Sequence, residues 1–200
     1  LSIGKLAAGA GDYYTAMVAQ GAEEYFTGAR EAPGEWIGAG TDDLALSGTV
    51  EPSDFVAILE HRHPGTSDRI TGARSASKVV GFDATFCAPK SVSVLHGLGT
   101  AEVRREIREA HDVSLRAALE VFEEEACRGR RGHGGATLVE GDGFVAAAFR
   151  HRTSRAGDPH LHTHTVVANI VRGPDERWTA LDARPLYHWA KTVGRLYEAQ

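Results

Sequence analysis

Two hundred residues make one ordinary domain, and 42% hydrophobic with 24% charged side chains is the make-up of a soluble globular fold, which excludes long disorder. No apolar run reaches about eighteen residues, no basic-then-apolar leader is visible, and two cysteines, Cys87 and Cys127, exclude a disulfide framework, so a cytoplasmic protein is expected. The net charge of −5 argues against nucleic acid only as a sum; residues 1–50 alone carry 2 basic and 7 acidic side chains, while residues 151–200 carry 7 and 5. A ligand responds to the local potential of a cleft more than to that sum.

In chain order, residues 12–26 read as a helix containing Tyr13, Tyr14 and Tyr25, with Gly21 as its weak point. A short extended piece surrounds Trp36. Pro52-Ser53-Asp54 opens a helix through about His63, closed by Pro64-Gly65. Lys78 to Phe86 is rich in β-branched and aromatic residues and predicts a strand. Ala88-Pro89-Lys90 starts a helix closed by Gly97 and Gly99. Thr100 caps a long helix to Cys127, with Val103, Ile107, Ala110, Ser114, Ala118 and Val121 as its buried stripe. Glycines 129–135 break it. Phe144 to Thr153 and Leu161 to Val171 are the best strands, joined by the loop Ser154–His160 as an antiparallel hairpin. A short strand at Trp178–Leu181 and a helix from Leu186 to Gln200 follow. Strands and helices do not alternate one for one, which predicts an α+β domain with a central, mostly antiparallel sheet flanked by helices.

The densest chemistry lies in that hairpin. Side chains at i and i+2 of a strand share a face, so His162 and His164 point the same way. Folding about Gly157 brings His151 opposite them, and facing Cβ atoms about 4.5–5.5 Å apart let three rings reach one ion. Three imidazoles suit manganese, zinc, nickel, iron or copper. His160 belongs to the opposite face or the loop, and His61, His63, His96, His111, His133 and His188 are read as ordinary. Alternation also sends Arg150 and Arg152 away from the metal face.

Asp83 sits in a strand among Phe82, Phe86 and valines, where a carboxylate is costly unless paired. It is placed either to fix a ligand histidine's tautomer or to take a phenol proton. Tyr13 and Tyr14 are core anchors on one reading; beside a metal they become nucleophiles. Lys90 and the helix N-terminus after Pro89 suit a phosphate.

Tyr13-Tyr14, EWIGAGTDDLALSGTV, FDATFCAPKSVSVL and FRHRTSRAGDPHLHTHTVVAN, in that order, resemble the conjugative relaxases of the TraI/TrwC (MobF) type, within the HUH endonucleases. The resemblance covers residues 1–200, and its last block is the most specific. It implies an antiparallel sheet flanked by helices (the palm-like HUH relaxase fold), and a bacterial relaxase catalytic domain lacking its C-terminal portion. A helicase domain often follows in full-length members. It also implies nicking of one strand at a plasmid or integrative-element transfer origin, with tyrosine joined to the 5′ phosphate. By motif, Tyr13 is the implied nucleophile and Tyr14 its neighbour, His151, His162 and His164 the metal ligands, and Asp83 the base or histidine orienter. The expected cofactor is a divalent ion, magnesium or manganese, with zinc or nickel as alternatives. The expected partners are single-stranded origin DNA, contacted by Arg155, Lys90, Arg74 and Lys78, and other relaxosome and coupling proteins. Thr163 stands where many HUH pairs enclose a bulky hydrophobe, and Tyr25-Phe26 stands where many members have a second tyrosine pair.

Three other readings compete. A rolling-circle initiator shares the core, but usually carries its tyrosines after the histidines. An origin-binding module would bind without cutting. A three-histidine hydrolase would cut by water attack, leaving no adduct.

Overall fold

Valine, phenylalanine and threonine crowd residues 79–87 and 161–168, and these segments form the middle of the sheet. The computed structural model describes residues 1–10, 33–71, 78–154 and 156–200. The tyrosine helix, with Tyr13, Tyr14 and Tyr25, and the side chains Arg74 and Arg155 lie outside the described residues.

Within them the order is β1 (Ser2–Ala7), β2 (Glu35–Ile37), a 3-10 turn (Ala39–Leu44), α1 (Pro52–Leu59), β3 (Val79–Cys87), α2 (Lys90–Leu98) and α3 (Ala101–Ala126). There follow β4 (Arg128–Arg131), β5 (Thr137–Glu140), β6 (Ala146–Thr153), β7 (Pro159–Ala168), β8 (Val171–Arg172), β9 (Trp178–Thr179) and α4 (Ala183–Ala199). Five strands form one sheet in the order β1-β3-β7-β6-β2, every neighbouring pair antiparallel. The α+β expectation holds. No helix among the described residues is long and apolar enough to cross a membrane.

Helices cover the two faces of the sheet unequally. On one, Phe82, Phe86, Ala146 and Val167 pack against Leu115, Leu119 and Phe122 of α3 and Leu186, Val193 and Tyr197 of α4. Phe122 and Phe144 meet edge to face, ring centroids 5.5 Å apart. On the other, Trp36, Ala147, Phe149 and Val166 pack against Phe55, Ile58 and Leu59 of α1. Each fully buried Phe or Leu is worth about 1.5–3 kcal/mol relative to exposure. The α1 cover stops at Phe149 and Val166. The strand positions beyond it on that face are polar, and they hold the site.

Four local expectations change. α1 ends at Leu59 rather than near His63, because His61 takes a left-handed φ of 57°. The buried stripe of α3 is His111, Leu115, Leu119 and Phe122 together with Ser114 and Ala118; Ala110 is exposed, and Val103, Ile107 and Val121 are only half-buried. The glycine-rich break contains a paired hairpin, β4–β5, instead of open loop. The strand at 178 is two residues long and pairs with β8. Thr100 caps α3 as expected, its Oγ1 accepting from the Val103 N–H at 3.4 Å.

Candidate metal centre

Three histidines on two adjacent strands build the centre. In the β6–β7 ladder His151 stands opposite His162 and Phe149 opposite His164, so all three imidazoles rise from one face. Ring centroids are separated by 5.2 Å (His151–His162), 5.1 Å (His151–His164) and 5.0 Å (His162–His164). One ligand nitrogen from each lies within 4.8 Å of the others. His160 stays outside this group. It stacks beside His162, centroids 4.6 Å apart, and contributes its carbonyl instead of its ring.

The partners of the far ring nitrogens decide what the near ones can do. His162 Nδ1 lies 2.8 Å from the His160 carbonyl, which can only accept, so Nδ1 carries the proton and Nε2 keeps its lone pair. His164 Nδ1 lies 2.8 Å from Asp83 Oδ2 and again must donate if the carboxylate is ionised. Asp83 is steadied in turn by Thr85, whose Oγ1 donates to Oδ1 at 3.0 Å. Two of the three rings are thus held in the tautomer that presents Nε2. Burial, reinforced by the neighbouring imidazoles, lowers the pKa of His151 to about 4. Burial first, then the His164 and His160 rings, bring His162 to about 4 as well, against an opposing hydrogen bond to the His160 carbonyl. At neutral pH these rings are uncharged nitrogen donors, the form a metal ion requires.

The other predicted residues divide. Asp83 reaches the cluster through His164. Lys90 begins α2, and its Nζ donates to the Pro159 carbonyl at 2.9 Å, at the start of the histidine strand. Gly97 of the same helix lets α2 lie against Pro159, where any Cβ would sit 3.0 Å from the proline ring. Lys78 is exposed at the opposite end of β3, roughly 30 Å of strand from Cys87 and the histidines, and is not brought to them.

Two histidines read as ordinary lie outside the metal group, as expected of them, but are buried. His111 of α3 is 4% exposed and spends both ring nitrogens, Nε2 on Thr163 Oγ1 at 2.7 Å and Nδ1 on the Tyr197 hydroxyl at 2.6 Å. This explains the threonine between His162 and His164: its side chain points to the α3 face and meets a buried imidazole. His96 of α2 is 3% exposed, and its Nε2 has no hydrogen-bond partner. Partners 52 and 86 residues away leave no trace in local periodicity.

The model of the TrwC relaxase family matches residues 7–200. The chain belongs to the TrwC relaxase family. Among its relatives in this family, a multifunctional conjugation protein TraI of Escherichia coli is 35% identical over 184 residues, which are 91% of this chain and 10% of that protein. The chain therefore spans about a tenth of the length of TraI. The metal-bound structure of the conjugative relaxase TrwC in complex with OriT DNA superposes with a TM-score of 0.81 at 32% identity, covering 99% of this chain and 66% of that one. TrwC complexed with a 27-mer DNA comprising the recognition hairpin and the cleavage site gives 0.79 at 32%, covering 99% and 65%.

Proposed function

We propose that this TrwC-family chain nicks one strand of DNA at a transfer origin, by attack of tyrosine on a phosphodiester held beside a divalent ion at His151, His162 and His164. The observation that carries the reading is the convergence of three imidazoles, two buried and one half-buried, two of them with Nδ1 committed to an acceptor. The donor set fits a metal: three imidazoles converge from one face of the sheet beyond the α1 cover, and burial keeps His151 and His162 uncharged. When bound, the ion would supply positive charge to the non-bridging oxygens of the scissile phosphate.

The chain's own residues do the rest. Asp83 keeps the His164 Nδ1 proton in place, which favours its role as histidine orienter over that of base. The phenol oxygen of Tyr13, with Tyr14 beside it in sequence, bonds to phosphorus as the bond to the 3′ oxygen breaks. The leaving strand ends in a 3′ hydroxyl, and the 5′ phosphate stays on the protein. Because one phosphoester replaces another, the strand can be rejoined by the reverse step. The relatives TraI and TrwC are named for conjugation and for OriT DNA, which supports a transfer origin as substrate.

The test is an adduct assay. The chain, single-stranded origin DNA of its own element and Mn²⁺ or Mg²⁺ should give a denaturant-resistant protein–DNA band that Tyr13→Phe abolishes. An undiminished band in that variant removes Tyr13 from the role, and cleavage without any band replaces tyrosine by water.

A further inference from the structure

We propose that the reverse side of the sheet, at the same end as the histidines, is a second DNA contact in which Arg104, Arg108, Arg150 and Arg152 seat backbone phosphates around His96. The inference rests on the nicking function proposed above and adds a path for the strand away from the metal.

The placement follows from how α3 crosses β6. Phe122 meets Phe144, and ten residues earlier on the helix Asp112 Oδ2 lies 2.5 Å from Arg150 Nη1, so helix and strand run antiparallel. One helical turn of about four residues advances about 6 Å, and two strand residues advance about 6.6 Å. Each turn back along α3 therefore meets the next pair of residues along β6. Arg108 falls beside Arg152, and Arg104 one turn further. Arg150 pairs with Thr163 in the ladder, and Thr163 touches His111, which fixes this as the α3 side of the sheet. Arg152 occupies the register shift between His151 and Thr153. Independently, the pKa of His96 is lowered by burial and then by the charges of Arg108, Arg152, Arg104 and Arg150, so all four guanidinium groups lie within electrostatic reach of one ring.

Two of these arginines lack a negative partner among the described residues. Asp112 answers Arg150, but among the described residues neither Arg104 nor Arg108 enters an ion pair. Glu109 on the outer side of α3 lies on Arg105 at 3.6 Å, and Glu102 and Glu106 are exposed. Arg104 and Arg108 are half-buried, held towards the sheet. His96 adds a buried Nε2 with nothing to bond. Like charges gathered beside an unsatisfied buried group are stabilised by an anion, and guanidinium forks match phosphate oxygens two at a time. Beyond Ala148 the outer edge of β6 has no strand partner among the described residues, which leaves the row open from the side. DNA is favoured over an acidic peptide because Arg150 and Arg152 of the row flank His151 of the metal centre on β6, facing the other side of the sheet. Contacts of this kind bind any sequence.

The test reads salt dependence. Anisotropy of labelled oligo(dT) of about 8 and about 30 nucleotides is followed between about 50 and about 200 mM salt, with the full chain and without added metal. For the longer probe, Arg104→Gln with Arg108→Gln should lower the magnitude of the log–log salt slope by about 1.4, at about 0.7 per lost phosphate contact. Affinity at low salt should fall about tenfold, and the loss should grow with probe length. Arg104→Lys with Arg108→Lys keeps the charges and should keep the slope, whereas damage to packing would appear in both pairs. A slope unchanged by the glutamine pair overturns the proposal. So does loss of binding to a polyglutamate peptide with oligonucleotide binding intact, which would assign the row to an acidic protein. No chemistry is involved, so the result is separable from the adduct assay: lost slope without adduct removes the nicking reading, and adduct with unchanged slope removes this one.

Discussion

Both sides of the β6–β7 hairpin carry buried, uncharged histidines, yet only one side has the form of a metal site. His151, His162, His111 and His96 all have lowered pKa values, and burial is the first cause in each. Burial therefore makes an imidazole neutral without making it a ligand. The difference lies in where the nitrogens are spent. His162 and His164 each give Nδ1 to a fixed acceptor and leave Nε2 facing the other rings. His111 gives both nitrogens to hydroxyls, and His96 lies within electrostatic reach of four arginines with its Nε2 unbonded. On the readings proposed above, one side suits a cation and the other an anion, one strand's thickness apart.

The contrast predicts that the carboxylate behind His164 matters more than any group behind His111. Asp83→Asn keeps an oxygen near Nδ1 but removes the charge that holds the ring's proton. Manganese affinity, measured calorimetrically, should fall about 10–100-fold. An unchanged Kd would mean that the ladder alone orients His164, and that tautomer control does not separate the two sides.

A second way to sharpen the comparison is pH, read on the side without a metal. His111 titrates near 6.5 unfolded and at about 4 folded, so between those values only the unfolded chain takes the proton. Stability is complete above the unfolded value and is lost as pH falls from about 6.5 towards about 4, by up to about 3 kcal/mol from this ring. His96 and His61 shift in the same direction, so the test is a difference. Denaturant unfolding at pH 7 and at pH 4.5 should show a smaller acid loss in His111→Gln than in the parent chain. Equal losses would show that His111 is already protonated, or already exposed, in the fold.

How much of this was legible in the sequence depends on the distance over which each signal acts. The three central strands and the shared face of His151, His162 and His164 were readable, because alternation and a short loop are local facts. Asp83 was readable as a misplaced charge. The phase of α3 was not: EVRREIREAHDVSLRAALEVF offers alanine and valine on one stripe and His111, Leu115, Leu119 and Phe122 on the next, and only the sheet chooses. A histidine inside a stripe reads as polar until Thr163 and Tyr197 meet it. The β4–β5 hairpin was hidden because arginines 128, 130 and 131 do not alternate with apolar residues; Arg131 is held by Asp175 at 2.6 Å instead. The row of Arg104, Arg108, Arg150 and Arg152 spans two elements, and no window of the sequence contains it.

The smallest expected effect concerns Thr163, which sits between two candidate ligands and faces the other way. β7 is the central strand, bonded to β3 on one side and β6 on the other, so its course near the metal is set by two ladders before any side chain acts. Thr163→Val should therefore change manganese affinity less than about twofold while destabilising the fold by about 1–3 kcal/mol, because His111 Nε2 is left buried without a partner. Removing both ends of the bond is gentler than removing one. Thr163→Val with His111→Phe should be less destabilised than the sum of the two single variants, and thermal unfolding of all four chains measures the coupling. Additive losses would deny the hydrogen bond. A large loss of metal affinity in Thr163→Val would deny the separation of the two sides, since it would mean that the α3 face positions the histidines of the other.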